Sequence, residues 1–381
     1  MADRILKSIS TRGLKNAVRG SEYKKEALIS YGLLIAGYIV LQLGAVSGLI
    51  GRNLQGQFVP ICVYISLAIS LNLVVGISGE LSLGHAGFMA VGCFSGVLMS
   101  RLLGPHIGFE PAVVLASMIF AAVLAALAGF VIGIPILGLR GDYLAIVTLA
   151  FGEIIVNLMN VIYFGFDGNG RLKFAFNHSI EGIEDSDRII AGAIGATGTK
   201  TMATFTMGLL LCLFTVFVVL NLKNSKQGRA IMSIRDNRIA GESIGLSVRK
   251  YKLMAFVTSA ALAGMAGALY GLNFSTVAPL KFNFNTSVLI LVFVVLGGVG
   301  NIWGGIIAAA ILTVLPEAFR QFADYRMLTY AVVLILVMIA TYNPTIKSRV
   351  SAVWAKVKPV KNKDKEKDKS KKAKKTGKED A

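Results

Sequence analysis

Charged residues are scarce in this chain of 381 residues: 16% are Asp, Glu, Lys or Arg, whereas 55% are hydrophobic. A soluble domain of this length needs more charge to cover its surface. Cysteine and histidine are also rare, with three of each, and their spacing matches neither a metal site nor a disulfide framework. The composition therefore excludes an ordinary soluble domain and predicts no metal site.

Apolar runs near membrane-spanning length recur along the chain instead. They predict an all-α polytopic membrane protein with about ten transmembrane helices, or eight to nine if one segment is re-entrant. The predicted spans are 27–50, 58–77, 84–103, 111–137, 143–165, 201–222, 251–273, 285–300, 303–319 and 327–343. We divide the chain into a basic segment at 1–26, a transmembrane domain at 27–343 and a Lys-rich tail at 344–381, which has too few apolar residues to fold.

Basic residues are concentrated in three blocks. Seven Lys or Arg against two acids lie within 1–25, eight against two within 223–252, and twelve against five from Lys356 onward. The stretch 166–200 instead carries five acids and four basic residues. Because cytoplasmic loops are enriched in Lys and Arg, both termini and the loop 223–250 are predicted to be cytoplasmic, and 166–200 external. Topology alone explains the basic blocks, so no nucleic-acid partner is predicted.

Two glycine-rich stretches interrupt the apolar pattern, "ISGELSLGHAGF" at 77–88 and "VLGGVGNIWGG" at 295–305. Glycine-interrupted segments in both halves of a membrane protein indicate a transport pathway built from broken helices. Close helix packing through small residues is the alternative. The residues predicted to line the translocation pathway are Gly79, Glu80, Ser82, Gly84, His85, Glu153, Gly297, Gly298, Gly300 and Asn301. Ser78, Ser82 and His85 are predicted to satisfy backbone groups that the break exposes.

Glu80 and Glu153 are the acids placed deepest in apolar sequence. A carboxylate within a membrane is costly and normally faces a partner or a water-filled cavity. Glu153 is predicted to brace a neighbouring helix as a hydrogen-bond donor, with contact to a substrate ammonium group as the alternative. His85 is predicted to hydrogen-bond a neighbouring loop.

The sequence offers no site for ATP. The nearest approach to a phosphate-binding loop, "GATGTKT" at 195–201, has Thr199 where the second glycine is required. No cofactor is therefore predicted for this chain.

The loop 223–250 carries signals for two short helices. "GRAIMSIR" predicts a helix that opens near Gly228, Asp236 and Asn237 offer a cap for a second helix, "RIAGESI", and Gly245 ends it. A compact basic element of this kind is able to transmit force from a partner. An ordinary loop, kept inside by its charge, is the alternative.

Four stretches together resemble the LivM-type permeases of branched-chain amino acid ABC importers. They are "GRAIMSIRDNRIAGESIGLSVRKYKLMAFVTSAALAGMAGALYG", "GISGELSLGHAGFMAVG", "GLRGDYLAIVTLAFGEII" and "VLGGVGNIWG". The resemblance implies a permease of the bacterial plasma membrane that is not an enzyme. It implies as partners two cytoplasmic ABC ATPases that use the ATP, a second LivH-like permease, and an extracytoplasmic substrate-binding protein.

The resemblance also implies that the loop 223–250 couples the permease to the ATPases. The residues assigned to this coupling are Gly228, Arg229, Arg235, Asp236, Ala240 and Gly245. Ala240 and Gly245 agree with the importer pattern, whereas Ile239 and Gly241 depart from it.

Two further departures bear on the substrate. Glu80 replaces a glutamine that is common in the family, and "GFDGNGRLKFAF" at 165–176 replaces a glycine-rich turn. A urea or short-chain amide ABC permease therefore stays open as an alternative. A secondary transporter with Glu80 and Glu153 as ion-coupling carboxylates is the alternative from another class.

Overall fold

The computed structural model describes residues 2–48, 51–138, 142–166, 172–176, 188–318 and Ile335. The chain divides into two units, 1–323 and 324–381, and every element named below belongs to the first. Its first six helices are α1 (Ala2–Val46), α2 (Arg52–Gln55), α3 (Phe58–Asn72), α4 (His85–Leu103), α5 (Glu110–Ile136) and α6 (Asp142–Val161). Three strands follow, β1 (Ile162–Phe166), β2 (Leu172–Phe176) and β3 (Arg188–Ala191). The remaining helices are α7 (Phe205–Asn224), α8 (Lys226–Asp236), α9 (Arg238–Ser243), α10 (Val248–Gly271), α11 (Phe284–Gly297) and α12 (Ile302–Ala318).

The helices agree with the predicted membrane architecture. Within the described residues, eight stretches are long and apolar enough to cross a membrane: Lys24–Val46, Phe58–Ser78, His85–Leu103, Glu110–Ile136, Tyr143–Val161, Phe205–Asn224, Val248–Gly271 and Pro279–Gly297. The ninth predicted span, 303–319, matches the shorter apolar helix Ile302–Glu317. The tenth, 327–343, and the tail 344–381 lie outside the described residues. The prediction of an all-α polytopic protein with eight to ten spans is therefore confirmed.

A small antiparallel sheet in the order β2-β1-β3 was not predicted. Strand β1 pairs with β2 from Ile162↔Phe176 to Phe166↔Leu172, and with β3 through Tyr163↔Ala191. The strand sequences "IYFGF" and "LKFAF" are rich in β-branched or aromatic residues, the composition that favours strands. The apolar run of α6 continues into β1 without a break, and this continuity concealed the change of structure in the sequence.

The core of the bundle is built around α3 and its continuation, since 89% of the most apolar stretch in Phe58–Ser78 is buried. Glycines let α10 approach its neighbours closely. A Cβ added at Gly264 would lie 2.7 Å from the carbonyl oxygen of Ala121 in α5, and one added at Gly267 would lie 3.0 Å from the backbone nitrogen of Cys93 in α4. Small residues that bring backbones together stabilise helix packing in membranes, where water supplies little driving force between helices.

Candidate translocation and coupling site

The first predicted break is present between α3 and α4. Helix α3 continues as one π-helical segment, Leu73–Ser78, and ends at Gly79, whose φ of 75° lies in the left-handed region that favours glycine. The N–H of Glu80 donates to the carbonyl of Val74 (3.1 Å), and residues 79–84 are not helical. We call residues 79–84 the first break.

The second predicted break separates α11 from α12. Gly298 and Gly300 have φ values of 91° and 83°, and the N–H of Asn301 donates to the carbonyl of Gly298 (2.9 Å) before α12 begins at Ile302. We call residues 298–301 the second break. Both breaks were predicted from the sequence because glycines at the end of an apolar run are a local signal, and these glycines adopt left-handed φ values in the structure.

Asn72, which sequence reasoning missed, joins the second break to the segment that leads into the first. Its Oδ1 accepts from the N–H of Gly300 (2.8 Å), and its Nδ2 donates to the carbonyl of Asn301 (3.0 Å). The side chain is 2% exposed. Gly76 packs against the same point, since an added Cβ there would lie 2.6 Å from Cα of Gly300. An asparagine inside the apolar run "AISLNLVVG" was the available signal.

The far end of the first break is held by α6, and the start of α4 is held by α11. The N–H of Leu83 donates to Oγ1 of Thr148 in α6 (3.0 Å), and the N–H of Ala86 donates to Oγ of Ser287 in α11 (3.1 Å). Ser287 lies in the first turn of α11, whereas the second break follows its last residue. The chain on either side of the first break therefore contacts both ends of α11, through Ala86 beside Ser287 and through Gly76 beside the second break.

The prediction that Ser78, Ser82 and His85 satisfy the exposed backbone groups is wrong. Among the described residues, the buried hydroxyls of Ser78 and Ser82 have no hydrogen-bond partner. His85 Nε2 lies 2.8 Å from Oγ of Ser70, so it joins α4 to helix α3 rather than to a loop. Side chains distant in sequence, Thr148 and Ser287, take the backbone role instead.

Two cationic side chains hold the segment that contains Gly79. Arg235 in α8 donates from Nη1 to the carbonyl of Gly76 (2.7 Å), and it is itself bonded to Oδ1 of Asp236. Lys252 in α10 forms an ion pair with Glu80, and the two side chains are 13% and 12% exposed. The predicted coupling residue Arg235 thus contacts the segment that carries the predicted pathway residues Gly79 and Glu80.

The loop 223–250 is a compact folded element, as predicted. Oγ of Ser225 accepts from the N–H of Gly228 at the start of α8, and Oδ1 of Asn237 accepts from the N–H of Ala240 at the start of α9 (3.0 Å each). Gly245, with φ of 82°, follows the end of α9, where the N–H of Leu246 donates to the carbonyl of Gly241 (3.1 Å).

The outer surface of this loop carries two apolar side chains whose exposure was not predicted from the sequence. Ile239 and Ile244 are 76% and 72% exposed, beside Ala240 and Gly245, which are also exposed. Arg229 instead forms a hydrogen bond within the loop, where it donates to the carbonyl of Asn224 (3.1 Å). We call Ile239, Ala240, Ile244 and Gly245 the α9 surface.

Glu153 braces a neighbouring helix, as predicted, but as an acceptor rather than a donor. Its Oε1 accepts from the N–H of Phe284, the first residue of α11 (3.0 Å). The preceding residue, Gly152, packs against the first break, with an added Cβ 3.4 Å from Cα of Gly84. Glu153 therefore lies beside the first break, while its carboxylate accepts a hydrogen bond from the first residue of α11.

Comparison of the sequence with known proteins shows its family. The family described as "Branched-chain amino acid transport system / permease component" matches residues 54–341. LivM of the high-affinity branched-chain amino acid transport system is 38% identical in Salmonella typhimurium, over 73% of this chain and 66% of the relative. LivM of Escherichia coli gives the same identity and coverage. LivH of Salmonella typhimurium is 24% identical over 72% of this chain and 88% of the relative.

The chain thus spans about two thirds of the length of the LivM relatives. No solved structure matches it. The family match covers well over half of the 381 residues, including both breaks and the loop between α7 and α10. The chain belongs to the family of permease components of branched-chain amino acid transport systems, which are transport proteins of the membrane rather than enzymes.

Proposed function

We propose that this chain is a permease subunit of an ABC importer that carries branched-chain amino acids into the cytoplasm across a bacterial plasma membrane. One observation carries the mechanism: Arg235 of the loop 223–250 is bonded to the carbonyl of Gly76, next to the first break. A displacement of α8 is therefore applied directly to the segment that joins the two breaks. In this proposal the residues predicted for the pathway line the route, and α8 and α9 couple it to ATP hydrolysis.

The ATPases dock on the α9 surface. Exposed isoleucines in a water-facing loop are unfavourable unless a partner covers them, and such apolar anchors often dominate the binding energy of an interface. Two cytoplasmic ATPases bind and hydrolyse ATP, one on this chain and one on a second, LivH-like permease. An extracytoplasmic binding protein delivers the amino acid. This chain itself needs no cofactor.

The cytoplasmic placement of the N-terminus is supported by a contact of α1. Glu26 near the predicted cytoplasmic end of the first span forms an ion pair with Lys223 at the end of α7 (2.6 Å). Lys223 opens the basic loop 223–250, so the two basic blocks meet at one end of the bundle. A shared end for these blocks is what cytoplasmic enrichment in Lys and Arg requires.

The function is tested by reconstituting both permeases and both ATPases into proteoliposomes, adding the binding protein, and measuring uptake of labelled leucine. We expect uptake to require ATP on the side of the membrane that carries the ATPases and binding protein on the other side. Uptake should resist an uncoupler, and excess isoleucine or valine should reduce it. Competition by urea or acetamide alone would reassign the substrate. Uptake that collapses with an uncoupler but continues without ATP would contradict the importer and favour a secondary transporter.

Glu153→Gln distinguishes bracing from substrate contact. The glutamine oxygen can still accept from the N–H of Phe284, so we expect leucine uptake to stay within about twofold of the unsubstituted protein and any loss of stability to be about 1 kcal/mol or less. Initial uptake rates over a range of leucine concentrations measure this. A rise in KM of about tenfold, corresponding to about 1.4 kcal/mol, would show instead that the charge contacts the substrate ammonium group.

A further inference from the structure

The Glu80–Lys252 ion pair connects the first break to α10. Lys252 is the fifth residue of α10, and it lies just after the loop 223–250. Both side chains are largely buried, with 12% and 13% exposure. A pair withdrawn from water to this degree is screened less than a surface pair, and loss of one partner leaves the other charge poorly solvated.

The residues on either side of Glu80 are poorly satisfied in this conformation. Ser78 and Ser82 are 2% and 1% exposed, and within the described part of the chain neither hydroxyl has a hydrogen-bond partner. A buried hydroxyl without a partner costs free energy. Two such hydroxyls therefore favour any rearrangement of residues 78–82 that gives them water or a protein partner.

The same segment is held at a second point four residues earlier. Arg235 binds the carbonyl of Gly76, and its side chain crosses Gly79, where an added Cβ would lie 2.5 Å from its Cγ. Between these two points the chain has a left-handed glycine rather than a continuous helix. Residues 76–80 are thus held by cations from α8 and α10 and opposed by the unsatisfied serines.

We propose that Glu80 and Lys252 are positioning residues that form a clasp, which closes the first break in this conformation and opens in each transport cycle. This inference rests on the function proposed above. When the ATPases move α8 and the start of α10, the ion pair separates. Residues 78–82 then shift, and the hydroxyls of Ser78 and Ser82 gain partners. The clasp makes the closed conformation the resting one, so that ATP is not hydrolysed without substrate delivery.

Removal of one charge should therefore release the resting state rather than merely weaken the protein. In the complete importer without binding protein, we expect Glu80→Gln to raise ATPase activity by about fivefold, which corresponds to about 1 kcal/mol. The reversed pair, Glu80→Lys with Lys252→Glu, should return the activity to within about twofold of the original. A purely structural role for Glu80 predicts lower activity, not higher.

Glu110→Gln is the matched control, because it removes one charge from the Lys200–Glu110 pair, whose side chains are 67% and 52% exposed, respectively. We expect no change in ATPase activity from this variant, since exposed pairs contribute little. Unchanged activity in Glu80→Gln, or failure of the reversed pair to restore the original level, would overturn the clasp while leaving ATP-driven uptake intact. Loss of ATP-driven uptake by the unsubstituted importer would instead overturn the proposed function itself.

A second measurement follows the motion directly through Ser82→Cys. The three natural cysteines, Cys62, Cys93 and Cys212, are buried and provide a low background. We expect a hydrophilic thiol reagent to label position 82 about tenfold faster during ATP turnover than without nucleotide, as local opening exposes a buried site. Equal labelling rates in the two conditions would contradict a moving first break.

Discussion

Replacing both Ile239 and Ile244 with aspartate is expected to abolish leucine uptake while the amount of protein in the membrane stays unchanged. The two side chains are 76% and 72% exposed, so the chain itself loses little when they become polar. A partner that buries them gains about 1.5–3 kcal/mol for each isoleucine, and aspartate replaces that gain with the cost of burying a charge. We expect the affinity of the ATPase for the permease to fall by about a hundredfold or more.

Co-purification of the ATPase subunits with the tagged permease measures the loss of affinity, and uptake is measured in parallel. Ile194→Asp is the matched control: Ile194 is 64% exposed, but it lies near the sheet, in the stretch 166–200 that is predicted to be external. It should retain normal ATPase binding. Undiminished co-purification of the ATPases with the double variant would place the docking surface elsewhere.

Asn72→Leu has the second large effect, because it removes both hydrogen bonds that join the two breaks. The leucine is similar in size, but the N–H of Gly300 and the carbonyl of Asn301 lose their partners. An unsatisfied group costs about 1–3 kcal/mol when it is buried, and because these two are part-buried we expect them together to destabilise the protein by about 2 kcal/mol. Thermal unfolding in detergent should begin at a lower temperature, and uptake should fall to background.

Two further variants distinguish loss of the Asn72 hydrogen bonds from a general loss of stability. Asn72→Asp keeps an acceptor for the N–H of Gly300 but repels the carbonyl of Asn301, so its uptake should also be lost. Asn157→Leu removes only a local bond to the carbonyl of Glu153 at an exposed position, and it should leave unfolding and uptake nearly unchanged. Normal uptake by Asn72→Leu would show that the breaks work independently.

The parts of this site that were predicted correctly have local causes. Gly79, Gly298 and Gly300 stand where apolar runs stop, and Asn237 and Gly245 are ordinary start and stop signals for a short helix. The missed parts depend on residues far apart in sequence. Asn72 is separated from Gly300 by 228 positions, and Glu80 from Lys252 by 172. A charge pattern assigns a side of the membrane to Lys252, but it does not assign a partner.

The sheet and the α9 surface were missed for a different reason. The strand β1 follows α6 without polar punctuation, so an apolar run of helical length hid a change to extended structure. The isoleucines of the α9 surface resemble the buried Ile231 and Ile234 of α8 in composition, and only the packing of the two short helices separates exposed from buried positions.

The unequal burial of α1 and α3 has a consequence for sequence drift. Only 11% of the most apolar stretch in Lys24–Val46 is buried by the chain, against 89% in Phe58–Ser78. Where lipid or another exchangeable neighbour surrounds a helix, selection acts on polarity, and most apolar residues are interchangeable. Where protein surrounds it on every side, selection acts also on volume and shape, because each added or missing methylene must be accommodated by a fixed neighbour. Neutral substitutions should therefore accumulate in Lys24–Val46 and be removed from Phe58–Ser78, although both stretches are long and apolar enough to cross a membrane.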